Sequence, residues 1–488
     1  MASYSEAICA PITPAGYAAI AVLRISGSDA ISIVAKHFRP SNKLLKSPTH
    51  RVLHGTFYSE TGQAIDEVLL SVFRSPTSYT GEDSVEISCH GNPNLANRIL
   101  SSLLLHARLA RAGEFTLRAY LNGKLDLSQA EAVNDLIHAQ ASKAESAALM
   151  QVQGKLSHHL QLLLTQITDA RLRCELAIDF SDQDLPQINL IALQQQLSGI
   201  LQAAEELSAK GEQGRKIREG TKICLSGAPN AGKSSLFNAL LQYGRALVTP
   251  HPGTTRDYLE ESISLNGFPL VIYDTAGLRQ SSDEIESQGI AKSIELMHEA
   301  DLIIYLIDST SIVEQNAVPD KLTTESTEVE QNATSVPSVF SVVNSASFGT
   351  WGVADAQQLS AKTITVYSKA DLLTVGASRA RPNHPYSIFC SVNTPNGLDA
   401  LTKAILNRLL LSDELLSKPL VTNARHLAAL SRCIESLHMA ISALESSAGF
   451  EFIAFELISA SRALEEILGV ITTDDLLENI FSNFCIGK

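Results

Sequence analysis

The segment Gly227 to Ser234, GAPNAGKS, constrains this chain more than any other. It fits G-x-x-x-x-G-K-[ST] and stands between KICLSG and SSLFNALL. The first flank is made of strand formers and the second has helical spacing, which is the context such a loop needs to hold phosphate. Its glycines let backbone N–H groups wrap an anion, and the helix N-terminus that follows adds a favourable dipole. A nucleoside triphosphate site is therefore expected. Asn230, Ala231, Gly232 and Ser235 are candidate contacts, Lys233 reaches the β- and γ-phosphates, and the Ser234 hydroxyl binds Mg²⁺.

Further pieces follow in the order this chemistry requires. Asp274-Thr275-Ala276-Gly277 ends an apolar strand, which places Asp274 near Mg²⁺ through water and the Gly277 amide near the γ-phosphate. Ser368-Lys369-Ala370-Asp371 follows another strand, with Ser391 beyond the next. Asp371 can take two hydrogen bonds from guanine, whereas adenine offers no matching donor pair, so the nucleotide is read as GTP. Between the first two pieces lies PGTTRD, Pro252 to Asp257, where Thr255 would complete the Mg²⁺ shell. Two positions depart from the usual pattern. Ser368 stands where Asn is usual, and its shorter side chain is expected not to span to the base and the neighbouring loop, which would weaken binding. Leu278 follows Gly277, where Ras-like GTPases place a water-orienting Gln. Another polar group and another positive charge are therefore needed, and Arg256 and Arg279 are candidates for the charge.

At 488 residues the chain is too long for one core. Residues 1–120 mix strand-like runs (AAIAVLRISG, EVLLSVFRS, SVEISCHG) with turn formers, an α+β pattern. Residues 121–217 change to helical periodicity, with Leu156, Leu160, Leu163 and Ile167 on one face of a helix expected to run to about Lys216. Residues 218–408 alternate strands and helices, as in a doubly wound, mostly parallel sheet of the Ras-like type. Within them 311–362 is rich in Ser, Thr, Val, Asn and Glu without a period, and reads as a long insertion. Residues 409–488 return to helix. The two helical segments are expected to pack together around an inserted α/β domain; the alternative is two separate bundles.

A net charge of −14 argues against non-specific nucleic-acid binding, so any RNA contact needs a local patch or a partner. No run of about 18 apolar residues suggests a membrane span. Seven cysteines without a C-x-x-C pair, and an N-terminus unlike a secretory signal, predict free thiols in a cytoplasmic protein. No spacing signals a Ser/His/Asp triad or an H-E-x-x-H zinc site.

Several further blocks narrow the reading. SYTGEDSVEISCHG (78–91), ARLARAGEFTLRAYLNGKLDLSQAEAV (107–133), PHPGTTRD, DTAGLR and the terminal FCIGK (484–488) resemble the MnmE (TrmE) family, within the TrmE-Era-EngA-YihA-Septin-like GTPases. The likeness spans nearly the whole chain outside 311–362. It implies a homodimer formed through N-terminal domains that bind a tetrahydrofolate derivative, 5-formyl or 5,10-methylene. It also implies an FAD-dependent partner, MnmG, with which an aminomethyl-type group is placed on C5 of the wobble uridine of certain tRNAs. Arg24, Glu86, Lys124 and Lys488 would then lie around the folate. Asn230, Thr249, His251 and Thr254 would hold a K⁺ ion against the phosphates in place of an arginine, and Glu286 would orient the attacking water. Cys485 has two readings, a reactive thiol beside Lys488 or a small packing residue at a helix end. The rival functions are a ribosome-assembly factor, a membrane-remodelling factor and a regulatory switch without a part in tRNA modification.

Overall fold

A computed structural model describes residues 6–179, 189–246, 259–274, 295–310, 359, 361–372, 387–394, 396–417 and 419–488. The chain forms two compact units. One joins Met1–Ile137, Leu149–Glu205 and Ala428–Lys488; the other holds His138–Ala148 and Glu206–Leu427.

In the first unit, seven strands lie in the order β3-β4-β5-β6-β2-β1-β7. They are β1 (Ile8–Pro11), β2 (Ile20–Ser26), β3 (Phe38–Arg39), β4 (Arg51–Tyr58), β5 (Ala64–Phe73), β6 (Ser84–His90) and β7 (Arg108–Leu109). All neighbours are antiparallel except β1 and β7. Side chains alternate between the two faces of a strand. Leu23 and Ile25 of β2, Leu70 and Val72 of β5, and Val85 and Ile87 of β6 are buried in one core with Phe38, Phe57, Ile99 and Leu103. The same alternation turns Arg24 and Glu86 to the other face, directly opposite each other in the β2–β6 register.

The helices of this unit come from two chain segments. Helix Lys155–Asp179 buries Leu156, Leu160, Leu163, Ile167, Ala170 and Cys174. It packs against helix Phe450–Leu468, which buries Ile453, Leu457, Leu464 and Ile467. The continuous helix expected up to Lys216 is instead broken into shorter ones, among them Leu127–His138, Ser142–Val152 and Lys155–Asp179. Gly154, at φ +78°, provides one break. Helix Ala424–Glu445 is long and apolar enough, at mean hydropathy 1.2, to match a membrane span in length and composition, a feature not expected from the sequence. Its Leu430, Cys433, Leu437 and Ala440 are fully buried. Helix Asp474–Ser482 is capped by the Thr473 hydroxyl, which accepts from the Leu476 amide. The tail beyond it returns to the N-terminal segment through an antiparallel bridge between Ile486 and Ala112.

The second unit carries the sheet β14-β13-β12-β8-β11-β10-β9. Its strands are β8 (Thr221–Gly227), β9 (Arg245–Ala246), β10 (Leu259–Leu265), β11 (Phe268–Asp274), β12 (Leu302–Asp308), β13 (Thr363–Ser368) and β14 (Ser387–Phe389). Strands β8, β11, β12, β13 and β14 run parallel, and β9 and β10 add an antiparallel edge. After β8 the chain crosses to the edge strand β9 and returns through β10 to β11 beside β8, then passes to β12, β13 and β14 on the other side. The C-terminal end of β8 is therefore the topological switch point, where open α/β sheets bind ligands.

The expected insertion ends earlier than position 362. Leu359 is buried with Cys224, Met297, Ala300 and Ile303. The Lys362 ammonium donates to the carbonyls of His298 and Ala300 at 2.7 and 2.8 Å. Both residues belong to the fold because each has a core or backbone partner; 311–358 lies outside the described residues.

Candidate nucleotide site

Four chain segments meet at the switch point. β8 ends at Gly227, whose φ is +145° and where a Cβ would stand 2.4 Å from the Leu306 carbonyl oxygen, so no side chain fits. The loop then turns through Asn230 (φ +63°) and Gly232 into helix Lys233–Tyr243. Lys233 is 7% exposed, and its ammonium donates to the carbonyls of Gly227 and Ala228 at 3.0 and 2.9 Å. That fold-back keeps a buried cation at the mouth of the phosphate loop. Ser234, one residue on, donates to Asp274 Oδ2 at 3.4 Å across from the end of β11, and Asp274 is 1% exposed. A hydroxyl and a carboxylate so placed are the oxygen ligands a Mg²⁺ site needs.

The base-reading side is equally interlocked. Ser368 ends β13, and its hydroxyl donates to Ala231 O of the phosphate loop at 2.7 Å, with Ile307 O at 3.2 Å. The expectation that Ser368 is too short to reach the neighbouring loop is thus overturned, because β13 brings its backbone close enough for a single hydroxyl. Lys369, at φ +55°, places its ammonium 2.5 Å from Asp308 Oδ2 at the end of β12. Burial pushes the Asp308 carboxyl up, but bonds from Lys369 and Thr310 outweigh it and hold it below the usual range. Asp371 accepts from the Ser391 hydroxyl at 2.7 Å and the Asn393 amide group at 3.4 Å. The Ser391 bond, above all, keeps its carboxyl charged. Asp308 and Asn393 were not singled out from the sequence. Asp308 reads there as a strand end, and its partner Lys369 lies 61 residues away.

Residues 7–124 match the family description GTP-binding protein TrmE N-terminus, and 127–485 match the MnmE helical domain. The tRNA modification GTPase MnmE of Christiangramia forsetii is 37% identical over 99% of both chains. That of Moorella thermoacetica is 39% identical, again over 99% of both. This chain belongs to the MnmE family.

Of the nucleotide residues expected in this MnmE-family chain, Asn230, Ala231, Gly232, Lys233, Ser234, Ser235, Asp274, Ser368, Lys369, Asp371 and Ser391 fall in the second unit's described residues. Thr249, His251, Thr254, Thr255, Thr275, Ala276, Gly277 and Glu286 lie outside them, as do the rival Arg256 and Arg279.

In the first unit, Arg24 donates to Glu86 Oε1 through Nε at 3.1 Å and Nη2 at 2.8 Å. Its guanidinium lies over the rings of Tyr79 and Phe115, 5.3 and 5.4 Å from their centroids. The terminal segment enters beside them: the Lys488 carbonyl accepts from the Phe115 amide at 3.1 Å. Burial, reinforced by Arg24, holds the Lys488 ammonium below its ordinary range, with Glu86 pulling the other way. Arg24, Glu86 and Lys488 are thus brought together. Lys124 instead donates to the Pro76 carbonyl at 3.0 Å. Cys485 is exposed beyond its helix, so it is not the packing residue that one reading made it. The other six thiols are buried, and burial raises those of Cys9, Cys224 and Cys433 to about 12.

Proposed function

We propose that this chain hydrolyses GTP in the service of tRNA modification. The observation that carries the reading is the phosphate loop closed over the Lys233 ammonium, with the Ser234 hydroxyl facing the Asp274 carboxylate. Lys233 would leave its loop carbonyls for the β- and γ-phosphates. Ser234 and Thr255 would hold Mg²⁺, with Asp274 reaching it through water, and the ion would supply charge neutralisation on the phosphate oxygens. Asp371, kept anionic by Ser391, would read guanine. Asn230, Thr249, His251 and Thr254 would hold K⁺ in place of an arginine finger, and Glu286 would orient the water.

In the first unit the paired Arg24 and Glu86, with the half-buried Lys488, suit a tetrahydrofolate derivative. Cations favour its glutamate carboxylates, and a carboxylate favours paired pterin N–H donors. A bound folate would supply the one-carbon unit. Homodimerisation and a flavin-dependent partner of the MnmG kind complete the proposal, with C5 of the wobble uridine in tRNA as the target. Mass spectrometry of tRNA nucleosides from a strain lacking this protein tests it. Loss of the C5 modification at the wobble uridine, restored by the intact chain and not by Lys233→Ala, is the expected result. Unchanged nucleosides would overturn the tRNA assignment and leave a GTPase of another role.

A further inference from the structure

The first unit carries a second constellation away from Arg24, Glu86 and Lys488. His37 closes helix Ala30–His37, Glu60 sits in the turn between β4 and β5, and His106 follows helix Pro93–Leu103. Their ligand atoms all lie within 4.8 Å of one another. The His37 side chain is 1% exposed, and its Nδ1 stands 3.1 Å from the Tyr58 carbonyl oxygen. A carbonyl only accepts, so Nδ1 carries the proton and Nε2 keeps its lone pair. That Nε2 is buried without a hydrogen-bond partner, and so is Nε2 of His106. Both face one carboxylate oxygen, Glu60 Oε2, at 3.7 and 3.8 Å. These separations are too long for hydrogen bonds. They are close to the roughly 3.4 Å between ligands of a tetrahedral ion with bonds of about 2.1 Å.

We infer that His37, Glu60 and His106 form a Zn²⁺ site. Two imidazoles and one carboxylate suit zinc and disfavour Mg²⁺ and Ca²⁺, which take oxygen ligands. The Tyr58 carbonyl already fixes the His37 tautomer, as metal-bound histidines require. Glu60 is 60% exposed, so water reaches the fourth position. Lys36, whose exposed ammonium lies 3.5 Å from His106 Nδ1, must swing away when His106 takes its proton on that nitrogen. The ion would clip the β4–β5 turn to a helix end and to the segment entering β7, a structural role independent of GTP.

Calorimetric titration of the untagged, EDTA-treated full chain with ZnCl₂ tests this, alongside thermal unfolding with and without the ion. One Zn²⁺ per chain and a raised melting temperature are expected. Glu60→Gln and His106→Gln, at sites exposed enough to spare the fold, should each weaken binding by roughly tenfold or more, while excess Mg²⁺ should not compete. Cys485→Ser tests the exposed thiol as a rival ligand and should leave the affinity unchanged. Absence of zinc binding, or binding that survives both Glu60→Gln and His106→Gln or is lost with Cys485→Ser, would overturn the site.

Discussion

Ser368 shows how one hydroxyl can tie two halves of a nucleotide site together. Its bond to Ala231 O anchors the base-reading loop to the phosphate loop. Ser368→Ala removes it, at about 0.5–1.5 kcal/mol for one such bond, so GDP should bind roughly two- to tenfold more weakly in a fluorescent-nucleotide titration. Ser368→Asn should bring no gain, because the loop is already held; tighter binding would show that the tie is poor. A second residue-scale case is Glu114, 1% exposed. It accepts from Arg108 at 2.5 and 2.9 Å, from Arg118 at 3.2 Å and from the Arg111 amide at 2.9 Å. Burial pushes its carboxyl up, but these donors outweigh it and leave it below the ordinary range. A depressed carboxylate stabilises above its unfolded value of about 4.3 and loses that contribution as pH falls through the folded value. Stability should thus be flat from pH 7 to about 5 and drop in more acid solution. Glu114→Gln should blunt the drop and cost about 1.5–3 kcal/mol at pH 7, since it weakens the charged hydrogen bonds from Arg108 and Arg118 while Arg118 keeps Glu82. Urea unfolding followed by circular dichroism measures both. Neither network was legible in the sequence. Arg118 and Glu114 sit one helical turn apart, but their third member, Glu82, lies 36 residues from Arg118 and joins only through the fold.

Elements were easier to read where one periodicity dominated. The apolar runs in KICLSG, PLVIYDTAG, DLIIYLID and TITVYSKAD become β8, β11, β12 and β13. LEESISL, whose Glu260 and Glu261 interrupt its apolar pattern, forms β10, paired antiparallel with β11. The signal was there: Asn266-Gly267 joins them, both with positive φ, as a tight hairpin turn demands. The same logic sets how far the inserted segment can be trimmed. Replacing 311–358 by a short link should leave GTP hydrolysis within about twofold, since loop closure depends weakly on length. Leu359 is another matter, being packed on Cys224 and Ile303. Leu359→Ala should cost about 2–5 kcal/mol, and a deletion carried through Lys362 should unfold the second unit. Hydrolysis assays and melting curves on the three variants separate these outcomes; a tenfold slower enzyme from the shorter deletion would assign the segment to the active site.

For the molecule as a whole, the open question is where the positive charge for hydrolysis comes from. Leu278 stands where a water-orienting Gln is usual and can neither orient water nor carry charge. Lys233 is already assigned to the phosphates from within the loop, leaving the charge developing between the β- and γ-phosphates to another group. Asn230 is exposed in the phosphate loop and has a positive φ. If K⁺ is that cation, hydrolysis should be fast in KCl and slow in NaCl at equal ionic strength, because the pocket must match the larger ion. Asn230→Ala should abolish the difference while retaining GTP binding. Glu286→Ala should bind GTP yet turn over at least a hundredfold more slowly, general acid–base or water-positioning groups being worth about that much or more. If the K⁺ site is completed only when two GTPase domains meet, the KCl rate should also rise with protein concentration. Equal rates in the two salts, or a fully active Glu286→Ala, would refute this mechanism and return the positive charge to Arg256 and Arg279, and Arg→Ala changes there would then abolish hydrolysis in either salt.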